Sequence, residues 1–135
     1  MYSTIDFPGA AQIRGILFEL GSGLGTAAWG LNDDGDIVGE YAGSDMVAHG
    51  FLLRDGQFSS FDAPTERQTP GTETLAAQIN SSGDIVGGSH SSGFHGQQGF
   101  LLQDGQFTLI NVPDAGGGFG TFATGLNDQG DIAGP

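Results

Sequence analysis

The sequence of 135 residues contains no cysteine, no lysine and only three basic residues, against 16 acidic residues. Without cysteine, neither a disulfide framework nor a thiolate site can form. A chain with so few cations and a formal net charge of −13 is a poor candidate for binding nucleic acid or an anionic membrane surface. The acidity suits solubility or cation binding instead.

Long apolar runs are also missing. No stretch of about 18 apolar residues is present, so no insertion into a membrane is predicted. Residues 1–6 have neither the basic nor the apolar region of a secretory signal peptide. Because no segment has the pattern of a long amphipathic helix, the composition favours an all-β chain.

Glycine is abundant, at 26 residues, and it lies at fixed positions of an internal repeat. One phrase begins at Leu31, Ile79 and Leu126, and its central glycines are 48 and 47 residues apart. A second phrase begins at Gly50 and recurs 49 residues later at Gly99. A period of about 40 to 50 residues indicates that each repeat is one supersecondary unit, which needs its neighbours to bury a core.

Each repeat divides into four short strands, lettered A to D. Alternating apolar and polar residues before a proline predict strand A at 2–8, 58–64 and 107–113. Strand B is predicted at 26–32, 74–80 and 121–127, strand C at 36–41, 84–89 and 131–134, and strand D at 49–54 and 98–103. Asn-x-x-Gly joins B to C, and Asp-Gly joins D to the next A, as in tight hairpins.

The repeats form a single domain and span residues 1–57, 58–106 and 107–135. The third is incomplete, and the first carries an insertion near 12–23. Four antiparallel strands in 47 to 49 residues match the size of a β-propeller blade. We therefore predict an all-β, β-propeller-like fold that is incomplete, since propellers close with about four to eight blades. A β-trefoil or a β-prism also has three four-stranded repeats and is the alternative.

A family resemblance rests on residues 4–10 (TIDFPGA), 31–41 (LNDDGDIVGEY) and 49–52 (HGFL). In these motifs the chain resembles the HAF family of bacterial repeat proteins, named for a His-Ala-Phe-like signature. The second repeat departs from the signature, with Gln98 in the place of His49. The resemblance implies an extracellular, secreted protein with a propeller-like array of sheets, and it offers no catalytic residues to transfer.

The B–C turn of the first repeat is the candidate metal site, because it is rich in the oxygen ligands that calcium prefers. The residues concerned are Asn32, Asp33, Asp34 and Asp36. The matching turn of the second repeat has serines in place of two of these carboxylates. The residues common to all three copies are the Asn, the Gly and the final Asp, which are the residues that the turn requires. We interpret the phrase as a structural turn and predict no cofactor, with a calcium site as the alternative.

Aromatic and histidine side chains are the candidates for ligand binding. Trp29 stands where the other repeats have alanine and threonine; a lone Trp belongs more often to a core, but at a sheet edge it can stack on a sugar ring. Tyr41 ends a strand C. His90 and His95 lie five apart in a polar loop and could meet on a metal, but structural zinc takes four ligands, so exposed loop histidines are the simpler interpretation.

Support for catalysis is weak. No Gly-x-Ser-x-Gly elbow is present, and sixteen acids make some glycosidase-like carboxylate pair inevitable, drawn from Glu40, Asp45, Glu66 or Glu73. We expect a non-catalytic module for binding or self-assembly, a homo-oligomer formed through exposed strand edges. The alternatives are a glycan-binding module, with or without calcium, and a polysaccharide-acting enzyme.

Overall fold

A computed structural model describes residues 4–10, 25–65, 71–90, 97–113 and 120–135. All regular structure in these ranges is β, which confirms the all-β part of the prediction, and no helix in them is long and apolar enough to cross a membrane. The strands are, in chain order, β1 (Thr26–Leu31), β2 (Ile37–Ala42), β3 (Ala48–Arg54), β4 (Gln57–Phe61), β5 (Glu73–Ile79), β6 (Ile85–His90), β7 (Gln98–Gln103), β8 (Gln106–Ile110), β9 (Gly125–Leu126) and β10 (Ile132–Ala133).

The strands form open antiparallel sheets in which neighbours in sequence are neighbours in space. The first sheet has the order β1-β2-β3-β4, the second has the order β5-β6-β7-β8, and β9 pairs with β10 alone. Asp55-Gly56 and Asp104-Gly105 have φ values of 50° and 75° in both turns. Two successive positive φ angles are what a two-residue hairpin of type I′ requires, so the Asp-Gly signal predicted both hairpins correctly.

Strand A is the element that was predicted least accurately. In the second and third repeats it forms β4 and β8, which pair with the preceding strand D. Each four-stranded sheet therefore crosses a repeat boundary, at 57/58 or at 106/107. In the first repeat, residues 4–8 of the predicted strand lie in no sheet. Among the described strands, none pairs with these residues as β3 and β7 pair with β4 and β8.

The core lies between the two large sheets. Strand β5 packs across β1, β2 and β3, so the second sheet covers one face of the first. Within each sheet the first two strands also approach closely: a Cβ on Gly39 of β2 would lie 1.9 Å from the Ala27 oxygen of β1, and one on Gly87 of β6 would lie 2.0 Å from the Leu75 oxygen of β5. Glycine at these places is a packing requirement. The buried apolar cluster is Val38, Ala63, Ala76, Ile79, Ile85 and Phe100.

The connection from strand A to strand B is closed by the same hydrogen bond in every repeat. A threonine hydroxyl at the start of the predicted strand B accepts the backbone N–H of the residue before proline. The pairs are Phe7 with Thr26 at 2.9 Å, Ala63 with Thr74 at 3.0 Å and Val112 with Thr121 at 2.9 Å. The bond holds Phe7 over the first sheet even though residues 4–8 form no strand.

Candidate functional site

The turn between strands B and C is built around one asparagine side chain. The Oδ1 atom of Asn32 accepts the backbone N–H groups of Asp34 at 3.1 Å and of Asp36 at 2.9 Å. Its Nδ2 atom donates to the Asp36 carboxylate and also, outside the turn, to the backbone carbonyl of Asn80, both at 3.0 Å. The side chain thus shapes its own turn and links it to the next repeat.

The second repeat makes the same set of bonds. Asn80 Oδ1 accepts the N–H groups of Ser82 and Asp84, and Nδ2 donates to the Asp84 carboxylate and to the Asn127 carbonyl. We call the resulting chain of Asn32, Asn80 and Asn127 the asparagine ladder. Asn80 is only 4% exposed, whereas Asn127 is exposed and, among the residues that the structure describes, its side chain bonds only within its own turn.

The carboxylate predicted to be the last metal ligand is engaged in an ion pair. Arg54 Nη2 donates to Asp36 Oδ2 at 2.7 Å, and this hydrogen bond holds the pKa of Asp36 below its ordinary value. Asn32 Oδ1 already accepts two N–H groups, while Asp33 and Asp34 are exposed. Within the described ranges, no three His, Asp or Glu side chains are grouped to hold a metal. The calcium alternative remains a prediction.

The B–C turns of the three repeats meet at a polar cleft of about 330 Å³. The cleft contains the asparagine ladder and a second link between repeats. Asp128 accepts the backbone N–H of Ser81 at 2.9 Å and its hydroxyl at 3.1 Å. The residues that line this cleft include Leu31, Asp33, Gln78 and Gln129.

A second cleft, of about 270 Å³, adjoins Tyr41 and His49. The Tyr41 ring is stacked on Phe7 with centroids 3.7 Å apart, so one of its faces is covered, and its hydroxyl lies 2.7 Å from Ser60 Oγ. His49 Nδ1 lies 2.6 Å from the Asp62 carboxylate, and Nε2 lies 3.2 Å from that of Asp45. Burial alone would lower the pKa of His49, but the two carboxylates outweigh it and raise that pKa.

Trp29 lies on the surface, so its expected place in the core is wrong. Ala28 pairs with Gly39 and Gly30 pairs with Val38, which leaves Trp29 as the extra residue of a β-bulge, 57% exposed. A bulge re-aims a side chain in this way. The inward position belongs to Gly30, where a Cβ would lie 2.7 Å from the Ala77 oxygen. The backbone of β1 is therefore too close to β5 for a large side chain.

The side chain of Trp29 lies beside Glu40. Burial raises the pKa of the Glu40 carboxylate, the indole N–H of Trp29 lowers it, and the nearby charge of Glu73 raises it. His90 Nε2 lies 2.8 Å from Glu73 Oε2. Glu40 pairs with Ala27, two residues before Trp29, and β5, which begins at Glu73, packs on β1 and β2. We call Trp29, Glu40, Glu73 and His90 the Trp29 cluster; the charges of Glu73 and His90 both act on the pKa of Glu40.

Two predicted ligand residues, Trp29 and His90, thus belong to this cluster, but Tyr41 does not. Tyr41 follows Glu40 in β2, and successive residues of a strand point to opposite faces. His95 and Glu66 lie outside the described residues. Glu40 and Glu73 were not predicted as neighbours of Trp29, because a bulge in the β1–β2 pairing sets the position of Trp29 beside Glu40, and only the packing of β5 on the first sheet brings Glu73 to them.

Comparison of the chain with protein-family models, with curated proteins and with solved structures finds no match. The resemblance to the HAF family therefore stays a prediction.

Proposed function

We propose that the chain is a non-catalytic β-repeat module of an extracellular protein that self-assembles, with its sheets in propeller-like succession. The observation that carries the proposal is the asparagine ladder, which repeats one contact from unit to unit and has two open ends. A contact that joins different surfaces of successive units is heterologous, and it produces rings when the rotation closes and fibres when it does not.

The two ends of the ladder are chemically complementary. The carbonyls of Asn80 and Asn127 each accept two bonds, one from the glycine of their own turn and one from the preceding asparagine side chain. The Asn32 carbonyl accepts only the turn bond from Gly35 among the described contacts. Asn127 Nδ2 of one copy can therefore donate to the Asn32 carbonyl of the next, as Asn80 does to Asn127 within the chain.

The unpaired edge of β10 is a second feature that favours association of one copy, near its Asn127, with the next copy. Strands β2 and β6 are paired on both sides, whereas β10 pairs only with β9 in the described residues. Ile132 is 37% exposed, although Ile85, at the same place in the second repeat, is 2% exposed. An unpaired, apolar strand edge is a template for association, and a second copy would cover it.

The test is the molar mass in solution, measured by light scattering and sedimentation over a wide concentration range. We expect concentration-dependent oligomers in the native chain and markedly weaker association in Asn127→Ala, which removes the donor. Gln129→Ala is the matched control, because it alters an exposed residue of the same turn that makes no hydrogen bond in the ladder. A strict monomer at every concentration, or equal effects of the two substitutions, would overturn the proposal.

Ionic strength provides a second check. In the junction between copies, Asp128 of one chain faces Asp33 of the next, as Ser81 faces Asp128 within the chain. Two carboxylates would thus face each other where Ser81 faces Asp128 within the chain, and they would repel each other. Salt screens the repulsion between such exposed charges. Association should strengthen when sodium chloride is raised, and association that weakens would contradict this arrangement.

A further inference from the structure

Each member of the Trp29 cluster can be compared with the residue at the same position in the other repeats. Glu73 matches Gly25 and Gly120 in the other repeats, and His90 matches Ala42. Trp29 matches Ala77 and Thr124, and Glu40 matches Gly88. At these positions the fold is built with glycine, alanine or threonine. The four large polar or aromatic side chains are therefore not required for folding of the repeat.

Where the second sheet packs against the β9–β10 hairpin, an apolar side chain takes the place that the cluster occupies in the first sheet. A Cβ on Gly88 would lie 2.2 Å from the ring of Phe122, so that ring fills the space above the strand. At the first junction the smaller Leu75 stands in the place of Phe122, and Glu40 in the place of Gly88. One junction is closed by apolar packing, whereas the other holds a half-buried carboxylate beside an exposed indole.

The chemistry of the cluster combines a flat apolar surface with hydrogen-bonding groups of both kinds. An exposed indole offers a face against which the C–H groups of a ring can pack. The two carboxylates retain lone pairs that accept hydroxyl protons, and the imidazole of His90 lies beside them as a further polar group. A small number of polar groups around an aromatic wall is the general composition of a small-molecule site.

We propose that the Trp29 cluster binds a pyranose ring of a neutral glycan, which stacks on Trp29 and donates hydroxyl hydrogen bonds to Glu40 and Glu73. A cationic ligand fits less well, because the Glu73 carboxylate is already paired with His90 at 2.8 Å and the Glu40 carboxylate is half-buried. This function goes beyond self-assembly, and it uses residues outside the asparagine ladder.

The experiment uses the fact that Trp29 is the single tryptophan of the chain, so its fluorescence reports on this site alone. The full chain is titrated with neutral oligosaccharides of glucose, xylose and mannose, and binding is measured in parallel by calorimetry. We expect a saturable fluorescence change with at least one of them. Trp29→Ala should weaken binding at least about tenfold, as truncation of a central aromatic anchor generally does.

The controls separate loss of the site from loss of the fold. Trp29→Ala introduces the residue that the second repeat carries at the same bulge, so the sheet should keep its stability. Met46→Ala removes another exposed apolar side chain, 55% exposed and outside the cluster, and should leave binding unchanged. Trp29→Phe keeps a smaller stacking ring without the indole N–H, and Glu40→Gln keeps only one acceptor oxygen; both should bind with intermediate affinity.

The proposal fails if none of the sugars gives saturable binding, or if Trp29→Ala binds as well as the native chain. It also fails if an arginine-rich peptide quenches the fluorescence while every sugar is silent, since the site would then recognise a cation. Because binding is measured on monomers and oligomers alike, this result is independent of whether the chain self-assembles.

Discussion

Removing the side chain of Asn80 should destabilise the protein far more than removing that of Asn127. Both asparagines occupy the same place in the repeated phrase and shape the same kind of turn. They differ in what lies beyond the turn, because Asn80 donates to the next repeat from a buried position and Asn127 does not.

The size of the difference follows from the hydrogen bonds that each side chain makes. Asn80 makes four and is nearly fully buried, whereas Asn127 makes two and is exposed. A hydrogen bond contributes about 1 kcal/mol net, and a buried partner left without one costs about 1 to 3 kcal/mol. Asn80→Ala should therefore lower the free energy of unfolding by about 3 kcal/mol, against about 1 kcal/mol for Asn127→Ala.

Urea denaturation of dilute protein, followed by circular dichroism, measures this difference. The midpoint should shift while the slope stays constant, since the same surface is exposed on unfolding. Asn32→Ala is a replicate of the first substitution, because Asn32 also makes four bonds, one of them to the next repeat. Equal losses for Asn80→Ala and Asn127→Ala would refute the reasoning, because the link between repeats would then contribute nothing.

Two further substitutions test other contacts. Thr74→Val removes the acceptor of the buried Ala63 N–H while keeping the shape of the side chain. It should lower the free energy of unfolding by about 1 to 3 kcal/mol in the same denaturation assay. An unchanged midpoint would show that the bond is dispensable. His49→Gln copies the second repeat, where Gln98 Nε2 donates to Asn111 at 3.2 Å. Because the pKa of His49 is raised in the folded chain, its contribution is complete below the ordinary value of about 6.5 and is lost as the pH rises through the higher folded pKa. Native stability should therefore fall over this range, whereas the Gln variant should not show that fall.

Local sequence signals predicted the strands and turns that depend on neighbouring residues. The Asp-Gly dipeptides formed the expected hairpins, because their backbone angles are decided within two residues. The phrase around Asn32 formed a turn for the same reason, since its Asn, Gly and Asp bond to each other. The prediction of the first strand A was wrong for residues 4–8, because a strand needs a hydrogen-bonded partner and the alternation of its own residues does not show whether one is present.

The candidate site was predicted only in part. Trp29 could be singled out because other repeats lack it, but its exposure follows from a bulge and from the close approach of β1 to β5. Glu40 lies 33 residues before Glu73 in the sequence. No pattern in either segment shows that the two carboxylates belong to one site.

Turn chemistry and alternation act over a few residues, so the order of residues is enough to predict that the protein is all-β and where its hairpin turns lie. The repetition also identifies the positions at which one repeat differs from the others. How the repeats are joined, through asparagines 48 and 47 residues apart, follows from the packing of the folded chain. The packing also determines which unusual residues meet, since contacts between sheets depend on it and not on spacing along the chain.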